Sequence, residues 1–290
     1  MYRRLVPIAA IALLILSLTA CVAGFDNAGS IVSGAIKKHQ ETVELEKKYQ
    51  TGQPMELLLD MKMAKAKIGS TSDKLAEAEF EYCSEALKPE FRVEDDSISI
   101  RNTLDKYTFG KIVNEWKVKV TDKIPLKMEL SADASDADLD MGNLKLKRIN
   151  AQLNESTMKI AFSELNKEPF DKFKLEANAS TISIIKAGNV GFEIMDIGSD
   201  ASTVSVDLTG ENKSDKEVRI DAKASTIRLK LPEDVGIRIV IDNYEVSSIK
   251  INNNKMLSRS EKEYVSSNYE EAGKTLKIYA DLNVTTLFIE

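Results

Sequence analysis

Hydrophobic and polar residues alternate along most of the chain, and one short phrase recurs within this alternation. The phrase is a small residue, then Ser-Thr or a close variant, then an apolar-x-apolar triplet. Its six copies occupy residues 155–160, 179–184, 201–206, 224–229, 246–251 and 284–289. Successive copies are 22 to 24 residues apart, except for the last, which follows after 38 residues. A near-constant step of this size is typical of stacked structural repeats.

A second alternating segment accompanies each copy of the phrase. These segments are residues 144–149, 173–177, 190–194, 218–222, 237–241 and 276–280. Nothing of helical length separates the two kinds of segment, so each repeat is predicted to contain two short strands and two corners. This pattern argues against β-α-β units. The predicted fold class is therefore all-β, a β-solenoid (β-helix) with about 22–24 residues per repeat.

Stacking of the repeats predicts where the side chains point. Equivalent strands of successive turns lie about 4.8 Å apart, so equivalent residues should form columns. The apolar positions represented by Ile182 and Ile184 should face the core. The position between them should face out, as Lys159, Ser183, Ser205, Arg228, Lys250 and Phe288. The reference position of the phrase has the same outward parity. We expect its residues to form a ladder of hydroxyls able to bond to one another or to the corner backbone: Thr157, Thr181, Thr203, Thr226, Ser248 and Thr286.

Two stretches depart from the regular step. Residues 96–100 read Asp-Ser-Ile-Ser-Ile and match the phrase, which predicts an earlier copy at this position. The next copy, at 135–139, comes 39 residues later, and the extra length contains Trp116. Residues 252–273 form a polar excursion before the last copy. We expect it either to carry a ligand or to fold over the last turn and shield it, and we favour shielding.

The first twenty residues resemble a bacterial lipoprotein signal. Arg3 and Arg4 precede an apolar stretch, and the sequence Leu-Thr-Ala-Cys ends at Cys21, the predicted site of lipid attachment. An uncleaved membrane helix is the alternative. Its apolar part would span about 24 Å, which is shorter than a hydrocarbon core of about 30 Å. The predicted organisation is a signal peptide at 1–20, a tether at 21–40 and one solenoid domain at 41–290.

The net charge and the cysteine content limit which molecules the chain is expected to bind and which disulfides it can form. The formal net charge is −6, and removal of residues 1–20, which hold two Arg and no acid, leaves −8. A chain of this charge has no reason to bind nucleic acid or an anionic lipid surface. With Cys21 lipidated, Cys83 has no cysteine partner, so no intramolecular disulfide is expected. We expect Cys83 to be a small buried residue rather than a reactive thiol.

The repeats resemble those of the toast-rack domain family. The resemblance rests on the six copies, on the stretch Leu-Pro-Glu-Asp-Val-Gly-Ile at 231–237 and on the closing strands at 276–280 and 284–289. Residues 57–89 also resemble the N-terminal part of toast-rack lipoproteins. The family includes candidate adhesins and is related to the C-terminal region of LiaF-type cell-envelope regulators. The resemblance implies a membrane-anchored envelope protein of the β-solenoid class and transfers no catalytic residue.

Two arrangements typical of nucleophilic catalysis are disfavoured. His39 is the only histidine and lies in the predicted tether, which excludes Ser-His-Asp and Cys-His sites within the predicted body. The pattern Ser-x-x-Lys occurs at Ser156 and Lys159, and again at Ser247 and Lys250. Residues three apart on a strand point to opposite faces, so these pairs should not converge. No catalytic residue is predicted.

A calcium-binding loop is also disfavoured. Asp136, Asp138 and Asp140 have the spacing of the first ligands of an EF-hand. Met141 stands where the loop requires Gly, and Lys147 stands where it requires Glu. On a strand the three carboxylates should line one solvated face. No cofactor or metal is predicted, although a weak surface calcium site stays open.

The sequence predicts a function in binding. We expect an outward-facing lipoprotein of the bacterial cell membrane that acts as a scaffold, an adhesin-like protein or a sensor. The membrane is expected as a partner through the N-terminal lipid, and an envelope protein, a glycan or a second copy of the chain stays open. The alternative is a polysaccharide-active β-helix enzyme. Such an enzyme needs clustered acids and aromatic platforms, but aromatic residues make up only 6% of the chain.

Overall fold

The period-two alternation of apolar residues sets the strands of the structure. The computed structural model describes residues 35–46, 49, 52–102, 112–211, 214–253 and 255–290. Short 3₁₀ helices occupy Glu85–Leu87 and Ala187–Val190. The strands are β1 (Lys37–Glu44), β2 (Met55–Lys62), β3 (Lys65–Thr71), β4 (Lys74–Tyr82), β5 (Glu90–Val93), β6 (Ser97–Arg101), β7 (Asn114–Thr121), β8 (Pro125–Asp133), β9 (Asp136–Asp140), β10 (Lys145–Asn154), β11 (Thr157–Ala161), β12 (Phe170–Asn178), β13 (Thr181–Ile185), β14 (Phe192–Asp200), β15 (Thr203–Asp207), β16 (Lys216–Lys223), β17 (Thr226–Lys230), β18 (Gly236–Glu245), β19 (Ser248–Ile251), β20 (Met256–Ser260), β21 (Glu263–Ser266), β22 (Thr275–Asn283) and β23 (Thr286–Ile289).

The strands form two sheets that face each other across one apolar core. The first sheet has 11 strands in the order β1-β4-β7-β3-β9-β11-β13-β15-β17-β23-β19. The second has 12 strands in the order β20-β21-β18-β22-β16-β14-β12-β10-β8-β2-β6-β5. Pairing along the middle of both sheets is parallel. The predicted all-β solenoid is confirmed.

Each turn of the solenoid is a rung made of one longer and one shorter strand. In stacking order the eight rungs are β2/β3, β8/β9, β10/β11, β12/β13, β14/β15, β16/β17, β22/β23 and β18/β19. The chain passes from the second sheet to the first through one residue in the left-handed region, with φ between 48° and 52°. These corner residues are Met63, Ala134, Glu155, Ala179, Ala201, Ala224, Val284 and Val246. The left-handed residue turns the chain sharply, so both strands of a rung can face the same core.

A ladder of buried hydroxyls connects the corners. The backbone N–H of Ser180 donates to Ser202 Oγ at 2.9 Å, and that hydroxyl donates to the carbonyl of Asp200 at 2.8 Å. The same pattern recurs in the residue after each later corner, in stacking order Ser135, Ser156, Ser180, Ser202, Ser225, Thr285 and the half-buried Ser247. The predicted hydroxyl ladder was therefore placed one residue too late. The ladder is formed by the Ser of the phrase. A buried corner N–H needs an acceptor, and the Ser hydroxyl of the next rung supplies it.

The last two rungs are stacked out of chain order. Strand β23 lies between β17 and β19, and β22 lies between β16 and β18. The C-terminal segment is thus inserted between two turns that precede it in the chain. The sequence-based outward column placed Phe288 after Lys250, and this order was wrong. All three inward residues at this end, Ile227, Leu287 and Ile249, still share one column.

The N-terminal end is closed by antiparallel strands. Strand β4 pairs antiparallel with β1 and with β7, and β5 pairs antiparallel with β6. The predicted tether reached residue 40, but β1 begins at Lys37, because its alternate residues pack on β4. The predicted copy at 96–100 was also wrong, since β6 pairs with β2 in the second sheet. The first rung instead turns at Met63, whose neighbour Ala64 lacks the hydroxyl that marks the phrase.

The core is one continuous cluster of aliphatic side chains. The predicted inward columns are confirmed: Ile182, Ile184, Val204 and Val206 are at most 1% exposed. Aromatic rings fill the wider places, such as Trp116, which meets Phe80 edge to face at 5.8 Å between ring centroids. Because every rung contributes to the same core, the solenoid buries its apolar surface as one body.

Candidate functional site

The outer face of the first sheet carries a straight row of hydroxyls. The row runs across six adjacent strands, in the order Thr157, Thr181, Thr203, Thr226, Thr286 and Ser248. Their outward direction confirms the predicted parity. Among the residues that the structure describes, none of these side chains has a hydrogen-bond partner in the protein. The row therefore offers donors and acceptors at intervals of about 4.8 Å, set by the sheet itself.

A second outward row lies beside the hydroxyls, and its C-terminal end holds a cation–aromatic–cation cluster. Strand β23 places Phe288 between Arg228 of β17 and Lys250 of β19. The guanidinium carbon of Arg228 is 4.2 Å from the ring centroid, and the Nζ of Lys250 is 5.1 Å from it. Contacts of this kind are electrostatically favourable and hold the cations near the ring. We call these three residues the Phe288 cluster.

The two outward rows around the Phe288 cluster contain no acidic side chain from β13 to β19. From β13 to β19 the two outward rows hold Thr, Ser, Arg, Phe and Lys alone. Within the described residues, neither Arg228 nor Lys250 forms an ion pair. In the next row, Asp207 is bound by Lys230 at 3.2 Å. Partial burial opposes ionisation there, but bonds from Thr209 and Lys230 hold the pKa of Asp207 below its ordinary value.

The far end of the first sheet also carries lysines, but acids pair with two of them. A shallow groove of about 560 Å³ there is lined by Lys117, Lys119, Glu77 and Glu79. Lys117 pairs with Glu79 at 3.4 Å, and Lys119 pairs with Glu77 at 3.7 Å. These exposed pairs leave little net field above the sheet. The groove is therefore a poorer charged site than the Phe288 cluster.

Lys216 is a buried amine that the sequence did not single out. Its side chain is 5% exposed, its Nζ donates to the carbonyl of Gly188 at 3.1 Å, and it lies 5.2 Å from the ring centroid of Phe192. Burial lowers the pKa of Lys216 to about 8, with Asp234 opposing the shift. A lowered pKa can activate an amine, but access to this one is closed by its surroundings. Its position, capped by a carbonyl and a ring, is that of a structural residue.

The Ser-x-x-Lys pairs diverge in the structure. Ser156 is buried at a corner, and its hydroxyl donates to the carbonyl of Asn154 at 2.7 Å. Lys159 is exposed and pairs with Asp138 at 3.5 Å. The side chains of Ser247 and Lys250 likewise belong to the inner ladder and to the outer row. Neither pair can cooperate in nucleophilic attack.

The three aspartates of β9 face solvent as predicted. Asp136, Asp138 and Asp140 are exposed, and the residues between them are buried. Asp140 accepts a hydrogen bond from the Ser163 hydroxyl at 2.8 Å. In the part of the chain that the structure describes, no group of three His, Cys, Asp or Glu side chains is arranged to hold a metal ion.

His39 and Cys83 both belong to the folded body. His39 lies on β1, half-buried, with Nε2 2.6 Å from Glu41 Oε1 and its ring stacked 6.3 Å from that of Phe80. The prediction that His39 lies in the tether was therefore wrong. Cys83 is buried, as expected, and its sulfur accepts from the backbone N–H of Val113 at 3.4 Å. His39 and Cys83 are engaged in packing.

The excursion at 252–273 folds against the end of the solenoid. Strand β21 pairs antiparallel with β18, and β20 pairs with β21. These strands extend the second sheet past the last rung, as the favoured shielding interpretation predicted. The first sheet ends at β19, whose outer edge has no strand partner in the described residues. A groove of about 470 Å³ between this hairpin and the last rung is bridged by Lys255 and Glu233 at 2.7 Å.

The predicted lipid attachment residue Cys21 lies outside the described residues, as do the signal peptide at 1–20 and most of the predicted tether. Within the described part, no helix is long and apolar enough to cross a membrane.

Comparison with known proteins gives one family match and several similar solved structures. The model of the family described as the N-terminal domain of toast_rack matches residues 32–185, more than half of the chain. A candidate cell adhesion protein from Clostridium sporogenes is 18% identical, with 88% of this chain and 99% of that chain covered and a TM-score of 0.46. A candidate adhesin from Bacteroides fragilis is 11% identical, with coverage of 90% and 100% and a TM-score of 0.37. No curated protein matches the chain.

Proposed function

The chain belongs to the toast-rack family, and we propose that it is a lipid-anchored protein of the bacterial cell envelope that works by binding rather than by turnover. The observation that carries this proposal is the outer face of the first sheet. Its row of unpartnered hydroxyls is built by the repeat itself, in register across six strands. A regular, open face of this kind suits contact with an extended partner, whereas catalysis needs groups that converge in a cleft.

The arrangement of reactive residues supports binding. The serine hydroxyls of the corners are buried in the ladder, His39 and Cys83 are packed, and the outward carboxylates are spread along strands. A glycoside hydrolase usually needs two carboxylates flanking one glycosidic bond. No observation on the described residues favours that alternative.

The anchor gives the body an orientation. In this proposal Cys21 carries the lipid, and the chain enters the fold at β1, at the end opposite the Phe288 cluster. Seven inter-rung steps of about 4.8 Å separate the first rung from the last, or about 34 Å. The C-terminal end of the body would then face away from the membrane, toward other components of the envelope. The net charge of −8 that remains without residues 1–20 opposes contact with nucleic acid.

The experiment compares the full chain with its Cys21→Ser variant in a bacterial host. Metabolic palmitate labelling should mark the full chain and be lost in the variant. The full chain should co-purify from solubilised envelope with a discrete component and should release no fragments from cell-wall glycans. Labelling that survives Cys21→Ser would refute the anchor. Glycan cleavage that is lost when one acidic residue is substituted would show that the protein is an enzyme and would contradict the binding proposal.

A further inference from the structure

We propose that the Phe288 cluster and the hydroxyl row beside it form a binding site for an anionic polysaccharide. This inference rests on the proposed binding function and names the ligand class. Arg228 and Lys250 supply the positive charge, and Phe288 holds them apart on one surface, since each approaches its ring from a neighbouring strand. Carboxylate, sulfate or phosphate groups are the partners that such cations bind most strongly.

The electrostatics permit an anion at this place although the whole chain is acidic. The net charge of −6 is spread over the molecule, and charges more than about 8 Å away are largely screened at physiological ionic strength. The two rows around the cluster contain no carboxylate from β13 to β19. The next row holds Asp207, Lys230 and Glu290, and Lys230, which pairs with Asp207, offsets only one of these two acids. Together with Arg228 and Lys250 these side chains carry one net positive charge, so a small excess of positive charge remains above the cluster.

The hydroxyl row argues for a sugar polymer. Sugar rings present many hydroxyls, which both donate and accept, and the row offers matching groups at every strand. Six hydroxyls spaced by about 4.8 Å extend over about 24 Å, longer than a single sugar and suited to a chain lying across the strands. The row passes next to the cluster at Thr226, Thr286 and Ser248. A linear acidic glycan can meet the cations at this end and the hydroxyls along its length.

Two other anionic partners fit less well. Recognition of an anionic membrane usually takes four to eight clustered Lys or Arg. The cluster has two cations and lies at the end of the solenoid farthest from β1. A protein interface usually has an apolar centre, whereas this field presents hydroxyls around one half-buried ring. The glycan is therefore the occupant to test.

The test measures binding of the full chain, purified in detergent, to heparin and to polygalacturonate. Neutral dextran and phosphatidylglycerol vesicles serve as comparison probes. We expect binding to both acidic glycans, weakening as salt increases, and none to dextran or vesicles. The double variant Arg228→Gln/Lys250→Gln should lose about tenfold or more in affinity. Phe288→Leu should lose less, because the cations remain but their support is removed.

The matched control removes two positive charges from the other sheet. Lys172→Gln/Lys174→Gln lies on the outer face of β12, where both lysines pair with acids. It should bind acidic glycans like the wild type. The proposed site would be wrong if both double variants lost the same affinity for acidic glycans. It would also be wrong if the wild type bound no glycan or bound vesicles more tightly. If Arg228→Gln/Lys250→Gln still co-purifies with the envelope component, the site is wrong while the binding function stands.

Discussion

The serine of the recurring phrase has a different role from the threonine that follows it. The threonine faces solvent, as its parity predicts. The serine sits immediately after a left-handed corner residue, where strict alternation no longer applies, and its hydroxyl is buried. The hydroxyl accepts a hydrogen bond from a corner N–H of the neighbouring rung that has no backbone partner in the sheets. Sequence parity could identify the outer row but not the inner ladder, because parity holds only within a strand.

This ladder predicts a large effect from a small change. Ser202→Ala removes the acceptor of the Ser180 N–H, which is buried, so unfolding free energy should fall by about 1–3 kcal/mol. The neighbouring Thr203→Val keeps the branched shape on the outer face and should change stability by less than about 0.5 kcal/mol. Urea unfolding followed by the fluorescence of buried Trp116 measures both. Similar values for the two variants would contradict the ladder.

Lys216 predicts how stability depends on pH. Its folded pKa of about 8 lies below its ordinary value of 10.5, so the unfolded chain binds the proton more tightly. Burying the charged amine therefore costs stability below pH 8, and this cost disappears as pH rises toward 10.5. Two to three pKa units correspond to about 3 kcal/mol. This cost is partly offset by the contacts of Lys216 with Gly188 and Phe192.

The variant Lys216→Met tests this linkage. It should gain stability relative to the wild type at pH 7, and the gain should shrink between pH 8 and pH 10.5. Urea unfolding at a series of pH values gives the difference directly. Lys230→Met, an exposed lysine on β17, is the control and should show no comparable trend over this range. A difference that stays constant with pH would show that Lys216 titrates normally.

At the scale of the element, each corner stores backbone strain. All eight corner residues have positive φ, and none is glycine. Left-handed backbone costs an ordinary residue about 1–2 kcal/mol, and a β-branched residue is the least suited to it. The two corners at the C-terminal end are Val284 and Val246, which are 58% and 89% exposed. Their side chains gain little from burial in return.

Replacing such a valine should therefore stabilise the protein. Val246→Asn keeps the corner but adopts the left-handed region more readily, so unfolding free energy should rise by about 1 kcal/mol. Val240→Asn in the middle of β18 is the matched control and should destabilise, because a strand favours valine. Thermal melts of both variants compare the two positions. A loss of stability in Val246→Asn would show that the valine makes a contribution beyond its corner.

The strands themselves could be predicted, but two of their assignments could not. Strand alternation and the inward columns follow from period two, because each face is either buried or solvated. The first rung was missed since Ala64 and Lys65 replace the Ser-Thr of the phrase. Residues 96–100 carry the phrase without its corner, because no left-handed residue precedes β6. A pattern of six residues specifies a strand but not the sheet that it joins.

At the scale of the whole molecule, the order of the rungs lies beyond the sequence pattern. Thr226 and Ser248 are 22 residues apart. This is the same spacing as between rungs that do stack directly on each other, so the spacing does not reveal the rung inserted between them. All rungs present similar Ile, Leu and Val columns, so hydrophobicity does not distinguish one stacking order from another. The Phe288 cluster depends on this order, since chain order would place Lys250 beside Arg228. Only the inserted rung brings Phe288 between two cations.

Cross-linking tests the inserted rung. Adjacent parallel strands place equivalent Cα atoms about 4.8 Å apart, within reach of a disulfide, while strands two apart are about 9.6 Å apart and beyond it. In the full chain with Cys21→Ser and Cys83→Ala, the pair Thr226→Cys/Thr286→Cys should therefore oxidise readily. The pair Thr226→Cys/Ser248→Cys should remain reduced, because β23 separates the two strands.

Removing residues 275–290 reverses this expectation. Without β22 and β23, the rung β18/β19 can stack directly on β16/β17, because both present the same columns and the 22-residue step already fits. In the shortened chain Thr226→Cys and Ser248→Cys should then cross-link, as shown by a shift in non-reducing electrophoresis that dithiothreitol abolishes. Retained strand signal in circular dichroism should accompany the cross-link. If the same pair cross-links in the full chain, β17 and β19 are neighbours, and the C-terminal rung is not inserted between them.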